Sequence, residues 1–349
     1  MNPRSRLRLA VLCLLAAPAV SGFAWDYEGH RIINQLALAG LPADFPAFAR
    51  TPEATARIAF LAGEPDRWRN SADRSLQNDN NPNHYLDLEQ LGWAGLDPAK
   101  VSPLRYTFAL QFAAGRAAHA QVFPPIDPAK DGDGTREWPG FLPWKIVEDT
   151  ARLQSQFSYL KAFEQGGGTQ TEIANAQSNI IYLMGVMGHY VGDGSQPLHV
   201  TAYHHGWWGD NPHGYTTDPK FHAWIDGGFI ARAGIRIQTL ESRARAAKPL
   251  PVARAAGVPD AMFADVMTYL VAQNERVEPL YELEKEGKLR ADGSPGSLDG
   301  KGFIEEQLLR GGQMLGSLWL TAWRTAPADH YLLEQLARRH AAAPAPAAK

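Results

Sequence analysis

A chain of 349 residues with 45% apolar residues is long enough to bury a large core. Its formal charge of −3 excludes a general coat for nucleic acid, so any chemistry on phosphates must come from a local site. A single cysteine excludes a disulfide scaffold.

The first 24 residues read as an export signal. Arg4, Arg6 and Arg8 form a basic start, and Leu9 to Val20 is an apolar run too short to span as a mature helix. Ser21-Gly-Phe-Ala24 places small residues at the last and third-last positions of a cleavage site. Cys13 follows Leu12 and lacks the small neighbour of a lipoprotein site. Cleavage after Ala24 predicts a periplasmic or secreted protein that begins at Trp25 and has no cysteine. Removal of the three arginines takes its charge from −3 to −6. One domain is expected over 25–340, with a disordered Ala/Pro tail at 341–349. No later stretch has membrane-spanning length, and no solenoid repeat is visible.

Apolar residues at three- and four-residue steps predict helices near 29–40, 53–63, 103–120, 142–164, 171–195, 220–246, 260–287, 302–325 and 328–340. Sustained alternation is scarce, so the fold class is all-α. Long polar connections are expected at Asn70–Asn83, Ala120–Gly140, Tyr203–Pro219 and Glu286–Lys301, and loops of that length are commonly functional. Gly166-Gly-Gly168 reads as a link between helices. Asp131-Gly-Asp-Gly134 reads as a turn, because a calcium loop would need a ligand where Ala129 stands.

The richest segment is His189-Tyr-Val-Gly-Asp193-Gly-Ser-Gln-Pro-Leu-His199. His189 and Asp193, four apart on a helix, leave the same face. Pro197 stops that helix and lets His199 turn back toward the same space. His222 and Asp226 repeat the spacing. Roughly half an occurrence of such a pair is expected by chance in a chain of this composition. Two within forty residues, with a third histidine after the proline, point to a divalent metal, zinc above all. Trp25-Asp-Tyr-Glu-Gly-His30 would form the new terminus, whose α-amine titrates near 8 and can chelate a metal together with the carbonyl of the same residue. Asp66-Arg-Trp-Arg69 and His84-Tyr-Leu-Asp87 add a further carboxylate and imidazole.

These motifs together resemble the zinc-dependent single-strand nucleases and 3′-nucleotidases of the mung-bean-nuclease type, in a superfamily shared with bacterial zinc-dependent phospholipase C. With Leu309-Arg-Gly-Gly-Gln-Met-Leu315, the resemblance runs from residue 25 to about 325. It implies a single helical domain and three zinc ions. Asp66, His84, His189 and Asp193 would hold one ion. The amine and carbonyl of Trp25, with His30 and Asp193, would hold a second, bridged to the first by Asp193. His199, His222 and Asp226 would hold the third. A pair of ions roughly 3.5–4 Å apart lowers the pKa of a shared water, and the third steadies charge on the leaving oxygen. Asp66 is expected to orient the attacking water and Arg69 to clamp a phosphate oxygen.

The resemblance also places Tyr85 to stack a base and Asp87 to read its edge, with His205 among the substrate-binding residues. The expected activity is hydrolysis of single-stranded DNA and RNA, and of 3′-nucleotides, by a monomer. Two other readings stand beside it. A phospholipase C is suggested by His-Tyr-x-Gly-Asp and by Glu28, which resembles an acid that attracts choline. Against it stand the short spacing from Trp25 to His30, Asp226 and Arg69. An exported zinc-binding protein without catalysis would need no Arg69. Two stretches depart from the family pattern: His204-His-Gly-Trp-Trp-Gly-Asp-Asn211, and a longer segment between His84 and Gly140. Trp207 and Trp208 can be a base platform, a lipid-facing lip or a packed loop.

Overall fold

The computed structural model describes residues 25–251, 261–294 and 296–342. The export-signal reading of residues 1–24 lies outside them, as do residues 343–349 of the expected tail; Ala341 and Ala342 close the last helix. Every regular element among the described residues is helical and none is a strand, so the chain is all-α. None of these helices is long and apolar enough to cross a membrane.

In chain order the α-helices are α1 (Tyr27–Gly40), α2 (Pro52–Leu61), α3 (Glu64–Arg69), α4 (Arg74–Asn80), α5 (Leu88–Trp93) and α6 (Arg105–Ala118). They are followed by α7 (Leu142–Gly166), α8 (Gln170–Asp193), α9 (Phe221–Ala223), α10 (Ile230–Arg232) and α11 (Ile237–Leu240). The last are α12 (Ala261–Asn274), α13 (Val277–Lys285), α14 (Ser297–Thr325) and α15 (His330–Ala342). Local chemistry sets the long ones. Asp26 caps α1, its carboxylate accepting from Tyr27 N at 2.7 Å. Thr169 and Glu172 form a reciprocal capping box at the start of α8. Gly167, at φ +74, ends α7 in the left-handed conformation that glycine adopts without strain.

The core is built around α1, α7, α8 and α14, with α1 on α14, α7 on α8 and α2 on α8. Helix α1 buries Ile32, Ile33, Leu36 and Ala37, one stripe of a 3.6-residue period. Its approach to α8 needs a missing side chain: a Cβ at Gly188 would stand 1.8 Å from Asn34 Oδ1. Asn34 in turn donates to the carbonyls of Ile58 (2.8 Å) and Gly185 (3.1 Å), tying α1, α2 and α8 at one buried point.

Two predicted helices are broken. The expected 220–246 helix runs from α9 through a π-helical stretch, Trp224–Phe229, into α10, and then stops. Gly234, at φ +63, reverses the chain so that buried Ile235 folds back and donates to Ile230 O at 3.1 Å. The expected 260–287 helix divides between α12 and α13. Pro279 has no N–H for the carbonyl of Glu275, and Asn274 is drawn aside to Glu89 Oε1 (2.9 Å) and Val200 O (2.8 Å). The expected polar connection at 70–83 contains α4, capped by Asp73. Helices α3 and α5, six residues each, are too short to show a period. Asp131-Gly-Asp-Gly134 is a turn, closed by Gly134 N on Asp131 O at 3.2 Å. The Asp133 carboxylate accepts from Asn81 and Thr135, which leaves it engaged within the loop.

Candidate metal centre

The site is assembled at the C-terminal end of α8. Gly192 has no side chain there, and a Cβ on it would meet His30 Nδ1 at 2.7 Å, so the imidazole from α1 can lie directly against α8. His189 Nδ1 donates to the carbonyl of Ala62 at 2.7 Å, which turns its Nε2 inward. That nitrogen stands 3.4 Å from Asp193 Oδ2, 3.7 Å from Asp66 Oδ1 and 3.0 Å from His84 Nδ1. Asp193 is the centre of this group. Its Oδ2 lies 3.0 Å from His84 Nδ1 and its Oδ1 3.4 Å from His30 Nε2.

Beyond Asp193 the chain does what Pro197 requires. Gln196 is extended (φ −92, ψ 116), and a short 3-10 turn, Pro197–His199, carries His199 back. His199 Nδ1 donates to His84 O at 2.7 Å, and its Nε2 faces His222 Nε2 at 2.9 Å. His222 Nε2 is also 3.1 Å from Asp226 Oδ2, while Asp226 Oδ1 accepts from Gln196 Nε2 at 2.7 Å. His199 and Asp226 are thus oriented by main-chain and amide partners, as metal-binding imidazoles and carboxylates commonly are.

Burial sets the protonation of these residues. It pushes His84, His199 and His222 well below the ordinary imidazole value of 6.5, so all three are neutral near neutral pH, the form in which an imidazole can bind a metal. It pushes the Asp193 and Asp226 carboxyls well above 3.8. Asp66 Oδ1, His84 Nε2, Asp193 Oδ1 and Asp226 Oδ2 are buried without a hydrogen-bond partner. Polar atoms in that state are costly, and a bound cation relieves the cost. The facing nitrogens of His199 and His222 fit the same account, because tetrahedral zinc with bonds of 2.0–2.1 Å sets two nitrogens about 3.3 Å apart.

Three groups of side chains can therefore hold a metal ion: His30, Asp66 and His189; His84, His189 and Asp193; and His199, His222 and Asp226. Within each group the ligand atoms lie within 4.8 Å of one another. His30 and Asp66 both gather on His189, and His30 also reaches Asp193, a sharing that the sequence motifs do not reveal. Trp25 is fully buried, its indole donating to Ser195 Oγ at 3.0 Å. The N–H of Asp26 donates to Asp226 O at 3.0 Å, so the backbone of residues 25–26 runs beside the third group.

A cleft of about 810 Å³ opens on this centre, and Arg69, Tyr85, Asp87, His199, His205 and His222 all line it. Arg69 Nε is 3.8 Å from Asp66 Oδ1, and its side chain remains partly exposed. Tyr85 is half-buried beside the cleft; Gly140, at φ +98, passes so close to its carbonyl that any side chain there would collide. Asp87 is buried, with Oδ2 accepting from Gln90 at 2.7 Å and Oδ1 3.6 Å from His204 Nδ1. Burial alone would lower His204; the Asp87 carboxylate and the Thr201 carbonyl outweigh it and hold the imidazole above its ordinary value. His205 is exposed, its ring 5.6 Å from that of His222.

Sequence reasoning missed Gln196 and Ser195, which support Asp226 and Trp25, and His204, which faces Asp87. The Gln-Pro pair was a signal for the first; the other two are set by contacts distant in sequence. The two tryptophans separate. Trp207 is packed, stacked on Tyr203 at 4.2 Å and set edge-on to Tyr281 at 5.3 Å. Trp208 is 42% exposed on the cleft wall. Compared with protein-family models, with curated proteins and with solved structures, the chain has no match.

Proposed function

We propose that this protein is a zinc-dependent phosphodiesterase that hydrolyses single-stranded DNA and RNA and removes phosphate from 3′-nucleotides. The observation that carries the reading is the convergence of three His/Asp groups beneath one cleft that also presents Arg69 and Tyr85. Three zinc ions are the proposed complement. His30, Asp66, His84, His189 and Asp193 would hold two of them, joined in one by the amine and carbonyl of Trp25 after cleavage. His199, His222 and Asp226 would hold the third. Bound zinc supplies Lewis acidity, which favours ionisation of water and steadies charge on phosphoryl oxygens.

The chain's own groups supply the rest. Asp66, on the first turn of α3, would orient the attacking water in addition to holding zinc, and its buried carboxylate oxygen without a hydrogen-bond donor supports that reading. Arg69, one turn later on the same helix, offers a planar fork of donors to a non-bridging phosphate oxygen. Tyr85 offers a ring on which any base can stack, which suits a nuclease without base preference. A zinc-storage protein needs neither the arginine nor an open cleft. Export through the signal sequence to the periplasm or beyond is part of the same reading.

The test is a side-by-side assay of the zinc-loaded protein starting at Trp25, on single-stranded DNA, a 3′-nucleotide and phosphatidylcholine. Hydrolysis of the first two is expected. Turnover of phosphatidylcholine alone would establish the phospholipase instead, and inactivity on all three would leave a zinc-binding protein.

A further inference from the structure

The two stretches that depart from the family pattern come together on one wall of the cleft. Trp93, at the end of α5, stands edge-on to Trp208 with ring centroids 5.8 Å apart, and Phe123 is edge-on to Trp93 at 5.7 Å. The guanidinium of Arg116 sits over Phe123 at 4.3 Å. Trp208 is pinned by its indole N–H on the carbonyl of Ala202 at 3.0 Å and by a tilted contact with Tyr203 at 5.4 Å. An indole held on several sides, its N–H satisfied, yet 42% exposed, is a preformed aromatic platform.

Cations accompany it. Arg69, Arg116, Lys130 and Arg136 line the cleft together with the carboxylates Asp87, Asp127 and Asp133. The acids are occupied: Asp87 by Gln90, Asp127 by the backbone of Ala129, and Asp133 by Asn81 and Thr135. Arg116 and Arg136 form no ion pair among the described residues, and Arg136 is exposed. Arg136 rests its Nε on the carbonyl of Lys130 at 3.2 Å and Arg116 lies on Phe123, so neither charge is neutralised by a carboxylate. Aromatic faces interleaved with such cations match a strand that carries a base and a phosphate at every step. A phospholipid headgroup, with one phosphate, has no use for cations spread along a wall.

We infer that Trp208, supported by Trp93, is a second base-stacking position, served by Arg136 and Arg116 as phosphate-binding groups. The preferred substrate is then a single strand of several nucleotides, beyond the one nucleotide that Tyr85 and Arg69 can engage. This rests on the nuclease reading and narrows it from any nucleotide ester to a polynucleotide.

The experiment compares the zinc-loaded wild type with Trp208→Ala, Trp208→Phe and Arg136→Ala. It measures kcat/KM on a thymidine dodecamer and on a dinucleotide, and, by fluorescence anisotropy, the Kd of a hydrolysis-resistant phosphorodithioate dodecamer. Stacking on one ring is worth roughly a five- to hundred-fold change in affinity. Trp208→Ala should therefore weaken dodecamer binding by at least about five-fold and reduce its turnover by more than that of the dinucleotide, and Trp208→Phe should restore most of both. Arg136→Ala should lower the slope of log Kd against log salt by about 0.7. Equal losses on both substrates, or unchanged dodecamer affinity in Trp208→Ala, would overturn the inference. So would weakened action on phosphatidylcholine vesicles with oligonucleotide binding intact. If the dodecamer binds and the variants weaken it while no phosphodiester is cut, the nuclease reading fails and the strand-binding wall stands.

Discussion

The imidazole of His30 lies nearly flat on that of His189, with ring centroids 3.8 Å apart and planes 22° from parallel. The two rings come from α1 and α8, and they meet because Gly188 and Gly192 leave α8 bare where α1 crosses it. Helix packing and the placement of these candidate ligands are one arrangement here.

The glycines can be tested by a substitution whose sign depends on place. Gly188→Ala gains roughly 1 kcal/mol of helix propensity but drives a methyl into Asn34, which two hydrogen bonds hold still. Overpacking of a rigid core typically costs about 1–3 kcal/mol, so a net loss of stability is expected. Gly302→Ala, within α14, meets nothing within 4 Å and should raise stability by roughly 0.5–1 kcal/mol. Thermal unfolding of the two variants should move in opposite directions; equal shifts would contradict the packing argument.

Asp193 is the hub of the centre, with His30, His84 and His189 all within 3.4 Å of its oxygens. Asp193→Ala should therefore remove more zinc than His222→Ala, which should cost about one ion per chain. Elemental analysis of purified protein reads this directly. Hydrolysis by Asp193→Ala should fall by at least about a hundred-fold. Equal zinc loss in both variants would mean that Asp193 serves one ion only.

One residue added ahead of Trp25 converts the proposed α-amine ligand into an amide. Zinc content and activity should both drop, and the indole bond to Ser195 gives no reason for the fold to change. Unchanged zinc content and activity would remove Trp25 from the ligand set.

Stability should depend on pH in a way that zinc alters. Burial holds His84, His199 and His222 below 6.5, so their contribution is complete above about pH 6.5 and is lost as pH falls through their folded values. Asp193 and Asp226 are held above 3.8, so theirs is complete below about pH 3.8 and is lost as pH rises through their folded values. Zinc needs neutral imidazoles and ionised carboxylates, and its binding releases protons. The rise in Tm on adding zinc should therefore grow from about pH 5 to about pH 8. A rise that is flat or shrinks over that range in scanning calorimetry would contradict this ligand chemistry.

Arg69→Ala should lower kcat more than it raises KM, by roughly ten- to a hundred-fold, if the guanidinium serves the phosphate more strongly in the transition state than in the ground state. A change confined to KM would make it a uniform binding group.

The features legible in the sequence were those with local causes. The spacing of His189 and Asp193, the break at Pro197 and the periodicity of α1, α7, α8 and α14 each depend on residues a few positions apart. Gly234 and Pro279 were also in plain view, but a periodic apolar pattern on both sides concealed the helix ends they impose. The meeting of Trp93 with Trp208, and of Asp87 with His204, could not be read at all. Both are set by how loops fold over helices, which neither period nor spacing encodes.

The Nδ1 atoms of His189, His199 and His204 all rest on main-chain carbonyls, those of Ala62, His84 and Thr201. A carbonyl is the one partner that no single-residue replacement can delete. Inheritance of the ring orientations is thereby uncoupled from the identity of the neighbouring side chains. The walls of the cleft are free to change in sequence while these rings keep their aim. Only a change in the path of the chain, an insertion or deletion near Ala62, His84 or Thr201, would turn them.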